Sequence, residues 1–328
     1  MFNIALFGVG RIGRIHGQNI HDHAQSNVYS LIDPYLQGCQ ELAKKYDAKI
    51  QSLEEAMSDP KVDAVCICSA TDTHVNLIEM ASLHGKAIFC EKPIDLDLTK
   101  VRDCLKVVEE NDSILFIGFN RRYDPHFNAL KNQLTNGAIG QIESLVITSR
   151  DPSAPSAEYT KTSGGMYRDM TIHDFDMVRF IMGSEPISIT AYGSCMVDPE
   201  IGKAGDIDTS VIVLTFESGA IATINNSRRS GYGYDQRIEV HGSKGMLSAG
   251  NITENSVKQW SDQGATEANP EYFFLQRYAE AYKNEWNHFI DVLNADSDPL
   301  SPGIDGERAL ALAEAALTSL TTNTTIKL

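Results

Sequence analysis

The 328-residue chain predicts an α/β protein in two parts: a parallel sheet with helices on both faces, then an α/β domain with a large, open, mainly antiparallel sheet. The first observation is alternation. FNIALFG, VYSLID, DAVCICSA, KAIFCEKP and ILFIGFN are short apolar runs separated by helical patterns, the signature of parallel strands joined by crossover helices. The second is a change of pattern after Asn120. From Ile187 onward the chain reads mainly as strands, with SVIVLTFESGAIATINNS turning at Ser218 and Gly219 and IEVHGSKGMLSA turning at Ser243 and Lys244. Strands joined by such tight turns are antiparallel. The third is size, because a chain this long exceeds what one hydrophobic core fills, and 42% hydrophobic residues can supply two. The expected domains are residues 1–120 and 121–328.

Taken in order, the helix THVNLIEMASLH begins on Thr71, Asp72 and Thr73 and ends before Gly85, so its N-terminus faces the carboxyl edge of the first sheet. The segment SRDPSAPSAEYTKTSGG reads as a polar loop, followed by one amphipathic helix from about Tyr167 to Met182. Two further helices, around FLQRYAEAYKNEWNHFIDVL and DGERALALAEAALTSL, close the chain.

Composition narrows the functions. A net charge of -16 disfavours a nucleic-acid partner, which needs a concentrated basic face. No apolar run reaches the length of a signal peptide's core at the start or of a membrane span later, so no membrane association is expected and the protein is expected in the cytoplasm. The six cysteines include no Cys-x-x-Cys pair, and Cys66 and Cys68, on one face of a strand, read as small buried hydrophobes.

Gly8, Gly10 and Gly13 form G-x-G-x-x-G directly after the first strand. In that setting the first glycine permits a tight turn, the second lets a pyrophosphate approach the backbone, and the third lets helix and strand pack closely. Asp33 ends the second strand, close to the spacing of about 20 residues at which a carboxylate binds the adenosine ribose hydroxyl. The residues after it, Pro34 to Gln37, include no arginine for a 2′-phosphate, so a Rossmann domain that takes NAD rather than NADP is expected. Glu91, Lys92 and Pro93 follow the strand KAIFC at the carboxyl edge, where open α/β sheets bind ligands.

On a continuous helix Asp169, His173 and Asp176 share a polar side, whereas Met170, Met177 and Ile181 mark an apolar one. An imidazole beside carboxylates is open to three readings: a metal site, a structural histidine, or a general base held in one tautomer.

The blocks GVGRIGRIHGQNI, CEKP, GFNRRYDP and SGGMYRDMTIHDFDMVRF resemble the Gfo/Idh/MocA oxidoreductase family over essentially the whole chain, and within it the branch that acts on inositols. The resemblance implies an enzyme that uses NAD to oxidise a secondary alcohol of a cyclic polyol, with Lys92, Asp169 and His173 as the catalytic group and no metal. It further implies that Arg11, Ile12, Ser69, Thr71, His74, Glu91 and Asn120 join the glycines and Asp33 around the cofactor. Asp151 and Tyr232 are the implied substrate contacts. A homotetramer is expected, since an open sheet face with apolar residues needs covering. A related sugar or polyol dehydrogenase, or a non-catalytic nucleotide-binding regulator of the same fold, is the alternative.

Overall fold

The computed structural model describes residues 1–328, the side chain of residue 157 excepted. In chain order the elements are β1 (Phe2–Phe7), α1 (Arg11–Asp22), β2 (Ser26–Ile32), α2 (Leu36–Tyr46), β3 (Lys49–Ile50), α3 (Leu53–Ser58), β4 (Ala64–Ile67), α4 (His74–Leu83), β5 (Ala87–Glu91), α5 (Leu98–Glu110) and β6 (Leu115–Gly118). There follow α6 (Pro125–Thr135), β7 (Ile142–Arg150), α7 (Ala157–Ser163), α8 (Gly165–Asp169), α9 (Ile172–Met182), β8 (Ser188–Ser194), α10 (Pro199–Lys203), β9 (Thr209–Thr215), β10 (Ile221–Ser227), β11 (Asp235–Gly242) and β12 (Gly245–Ala249). The hairpin β13 (Lys258–Ser261) and β14 (Gly264–Glu267) precedes α11 (Phe274–Arg277), α12 (Ala279–Leu293), α13 (Gly303–Thr322) and β15 (Ile326–Lys327).

The chain forms two compact units, residues 1–123 with 281–310 and residues 124–280 with 311–328. In the first, six parallel strands run in the order β3-β2-β1-β4-β5-β6. Parallel strands are covered on both faces, which is why β4 is four consecutive buried residues and β1 ends on four more. The strand order reverses between β1 and β4, and a crevice for ligands lies outside the carboxyl ends at such a point. Part of the cover comes from far along the chain: Trp286 and Phe289 of α12 pack on Phe89 of β5 at ring-centroid distances of 5.8 and 5.6 Å.

In the second unit seven strands run β12-β11-β7-β10-β9-β8-β15, antiparallel except where β7 lies parallel to β10. Burial alternates along β9, β10 and β11, so one face is core and the other is open. Val146, Val211, Ile221 and Tyr192 are exposed. Both anticipated hairpins form, at β9–β10 and β11–β12. Among the described residues, no helix is long and apolar enough to cross a membrane.

Three local expectations are corrected. The polar segment after Arg150 contains a helix, α7, whose N-terminus is capped by Ser156 through the Tyr159 N–H. The single helix expected over 167–182 is two, α8 and α9, broken at Met170 and Thr171, where the buried Thr171 hydroxyl donates to Asn226 of β10. The break sets Asp169, the last residue of α8, apart from His173 and Asp176, which stay three residues apart on α9, and Asp176 is buried. The elements α6 and β7 lie where no distinct element is anticipated.

Asp124 caps α6, accepting from the N–H groups of His126 and Phe127, and pairs with the fully buried Arg277 of α11. Asp124→Ala removes the cap and strands a buried guanidinium, so it should cost about 3–5 kcal/mol, read as a lower denaturant midpoint; Asp124→Asn, which keeps the cap, should cost less.

Candidate active site

In the first unit, β1 delivers the chain into the glycine turn. Gly8 has φ +93, and a Cβ there would lie 2.6 Å from the Cys68 carbonyl, so both conformation and space require glycine. A Cβ on Gly13 would fall 1.9 Å from the Gly8 carbonyl oxygen, the close helix–strand approach that the motif serves. Gly10 faces open space, with nothing within 4 Å of a Cβ position, and no side chain caps the start of α1. These N–H groups and the helix dipole form a cradle for a pyrophosphate. Arg11 and Ile12 open α1 beside it. Asp33 turns one carboxylate oxygen to the Val9 N–H at 2.8 Å and the other to the Tyr35 N–H at 2.7 Å, so the acid that would meet a ribose is held by the turn itself. The residues present fit a dinucleotide.

Along the same sheet edge, Ser69 Oγ lies 2.6 Å from Thr73 Oγ1 in the 3-10 turn Thr71–Thr73 that leads into α4. His74 is buried, its Nδ1 2.8 Å from the Pro93 carbonyl and its Nε2 3.1 Å from the Ser69 carbonyl. Burial presses its pKa below the ordinary imidazole value, although both carbonyl oxygens pull the other way. The ring thus joins the Ser69 loop to the Glu91-Lys92-Pro93 turn at the end of β5. The Lys92–Pro93 peptide is cis. Glu91 Oε1 lies 2.8 Å from His16 Nε2 of α1, and Asn120 is buried in the 3-10 turn after β6.

In the second unit, Asp151 and Asp169 are brought together by a residue that the sequence reading passes over. Arg228, just after β10, donates to Asp151 Oδ2 at 3.0 Å and to Asp169 Oδ2 at 2.9 Å. It is only 5% exposed. Burial opposes its charge, but the two carboxylates outweigh that and push its pKa up. The other oxygen of Asp169 accepts from Tyr159 of α7 at 3.0 Å. His173 lies in the first turn of α9, beside Asp174, which accepts from the Asn226 amide at 2.8 Å; Asn226 also receives the Thr171 hydroxyl. The break between α8 and α9, and hence where Asp169 ends one helix and His173 begins the next, is tied to β10 by this buried bond.

Tyr232 belongs to a neighbouring network. Its hydroxyl donates to Asp235 Oδ2 at 2.6 Å and accepts from Arg150 at 2.9 Å. Burial works against the Asp235 charge, but bonds from Arg237, Tyr232 and Asn251 prevail and hold its pKa below the ordinary carboxylate value.

Residues 2–119 match the family model described as an oxidoreductase family with an NAD-binding Rossmann fold, and residues 127–248 match the Gfo/Idh/MocA C-terminal domain. The chain is 47% identical over 315 residues to the inositol 2-dehydrogenase of Rhizobium meliloti (strain 1021), covering 96% of each chain. It is similar to the structure of a myo-inositol dehydrogenase from Corynebacterium glutamicum ATCC 13032, with a TM-score of 0.96, 40% identity and coverage of 100% and 99%. It also resembles the scyllo-inositol dehydrogenase of Lactobacillus casei with bound NAD(H) and scyllo-inositol, at a TM-score of 0.92, 27% identity and coverage of 100% and 99%.

The only signal for Arg228 in the sequence is the pair Arg228-Arg229 before a glycine-rich stretch, and the pair does not say which side chain turns inward; Arg228 is buried and Arg229 exposed. Arg228→Met leaves two adjacent carboxylates without their shared partner and should cost about 3–5 kcal/mol in denaturant unfolding. Arg228→Lys keeps the charge but cannot fork to both acids, and should fall between.

Proposed function

The chain belongs to the Gfo/Idh/MocA oxidoreductases, with an NAD-binding Rossmann domain, and from that premise we propose that it oxidises a secondary alcohol of a cyclic polyol, myo-inositol to its 2-ketone. The observation that carries the substrate class is the Arg228 bridge. The guanidinium is taken up by the two carboxylates that it joins, so it offers no basic cradle to an acidic substrate, and the carboxylates are hydrogen-bond acceptors suited to a ligand that presents several hydroxyl groups. A site of this kind discriminates, because a missing hydroxyl leaves a buried polar group unpaired. Relatives named for inositols favour that polyol among the others.

In this reading residues 1–120 hold NAD, and residues 121–328 bind substrate and form the oligomer. NAD, when bound, supplies the hydride acceptor. His173 accepts the proton of the substrate hydroxyl, Lys92 donates a hydrogen bond to the same oxygen and stabilises its developing negative charge, and Asp169 orients the group. Asp151 and Tyr232 bind other hydroxyls; Tyr232 does so from its bond to Asp235, which fixes the direction of its O–H. Gly8, Gly10, Arg11, Ile12 and Gly13 take the pyrophosphate side, Asp33 the ribose, and Ser69, Thr71, His74, Glu91 and Asn120 surround the nicotinamide end, His74 through the backbone that it joins. The exposed apolar residues Val146, Val211, Ile221 and Tyr192 support a homotetramer assembled through the open sheet face, and the protein works in the cytoplasm.

In steady-state assays with NAD, myo-inositol or a stereoisomer should give the highest kcat/KM in a panel with glucose, xylose, sorbitol and small 2-hydroxy acids; a linear polyol or an acid ahead of it overturns the substrate reading. Lys92→Ala and His173→Ala should each lower turnover roughly a hundred- to ten-thousandfold with little change in NAD affinity. Asp33→Ala should weaken NAD binding and narrow the preference over NADP, which titration of the two cofactors measures.

A further inference from the structure

Inside the first unit, beneath the Glu-Lys-Pro turn, ionisable side chains meet that none of these steps uses. His16 of α1 is fully buried, with Nε2 2.8 Å from Glu91 Oε1. Its ring lies on Phe89 at 4.8 Å between centroids and edge-on to Tyr282 of α12 at 5.7 Å. One turn further along α12 stands Glu285, fully buried on the same stripe as Tyr282, Trp286 and Phe289. Among the described residues neither carboxyl oxygen of Glu285 has a hydrogen-bond partner, and neither does Nδ1 of His16. The ionisable groups around Glu285 are Glu91 on β5 and Cys66 on β4, with His16, the partner of Glu91, on α1 and Tyr282 on its own helix. A carboxylate there would lose its hydration, gain no donor and face a second carboxylate.

We propose that Glu285 is held as the neutral carboxylic acid and is a positioning residue for the Glu91-Lys92-Pro93 turn, completing a buried cluster with Glu91 and His16. Burial, and then the charge of Glu91, push its pKa well above the ordinary 4.5, in keeping with this geometry. A neutral Glu285 places no second charge beside Glu91, whose Oε1 lies 2.8 Å from His16 Nε2. Gly118 leaves room for the arrangement, since a Cβ there would lie 3.1 Å from the Glu91 carboxyl. Lys92 follows Glu91 directly, so the charge of the cluster bears on where the lysine sits and how readily it stabilises an alkoxide. This last step rests on the dehydrogenase reading; the protonation of Glu285 does not.

The test compares wild type with Glu285→Gln, which has the shape of the neutral acid but cannot ionise. A native state that retains a proton which the unfolded chain releases loses stability as pH rises from 4.5 toward the raised native value. The folding equilibrium of Glu285→Gln should therefore gain on wild type by up to about tenfold per pH unit across that window, followed by denaturant unfolding at a series of pH values. A difference that is constant with pH, or that shifts toward wild type as pH rises, overturns the proposal. Should Glu285→Gln not fold, Glu285→Met also lacks the ionisable group and carries the same comparison. With NAD and myo-inositol, Glu285→Gln should keep wild-type kcat near neutral pH and a flatter alkaline limb of the kcat profile, with KM for NAD unchanged. Glu285→Met, which lacks the polar head, should lower kcat about tenfold in a folded protein; wild-type kcat in that variant, or an alkaline limb unchanged in Glu285→Gln, overturns the positioning role, whereas inactivity of all these proteins toward every polyol would count against the dehydrogenase reading and leave the stability comparison intact.

Discussion

Parallel strands must be buried on both faces, and most of what matters in the first unit follows from that constraint. The strands β1, β4, β5 and β6 carry mostly apolar side chains, so polar groups collect where they end, at the glycine turn, the Ser69 loop, the Glu-Lys-Pro turn and the Asn120 turn. The same constraint requires cover for Phe89 and Phe116, and α12 supplies it with Trp286 and Phe289. In doing so α12 also carries Glu285 to the layer beneath Glu91. The packing of the sheet and the chemistry of its edge are thus supplied by one helix.

The two units treat buried charge differently. In the second, buried ions are paired: Arg228 with Asp151 and Asp169, Asp235 with Arg237 and Arg150, Arg277 with Asp124. Each pair has its desolvation offset by short charge-assisted bonds, and each would leave a costly orphan if cut. The first unit has such a pair as well, Arg122 with Asp305, but it also holds a histidine–carboxylate bond at His16 and Glu91 and a buried acid at Glu285 whose carboxyl oxygens meet no hydrogen-bond donor among the described residues. Paired ions hold side chains in place at any pH near neutrality. A buried group that must stay neutral makes the turn beside it sensitive to pH.

The pattern of the residues was enough for features whose physics is local. Gly8 and Gly13 are required by the turn and the helix that they themselves form, Asp33 is marked by its place at the end of the next strand, and the two hairpins by their own turn residues. Features that depend on distant partners were not legible. β7 is central to its sheet, but its neighbours β10 and β11 lie far along the chain, and no tight turn marks it. The helix expected over 167–182 satisfies every local rule and still breaks at Thr171, because its hydroxyl is bonded to Asn226 on another strand. Glu285 had a visible sign, a carboxyl on the apolar stripe of a helix, but the sign does not say what it meets.

By itself, then, the sequence determined the kind of protein, namely the fold class and the dinucleotide turn with its acid, since these rest on short-range geometry and residue chemistry. Only the tertiary structure decided the electrical environment. That Arg228 rather than Arg229 turns inward to join Asp151 and Asp169, that His74 bridges two carbonyl oxygens, and that Glu285 is buried without a donor are settled by contacts in space, which for Arg228 and Asp151 span 77 positions. Charge and hydrogen bonding act through space, and the chain's order in sequence does not record which groups will share it.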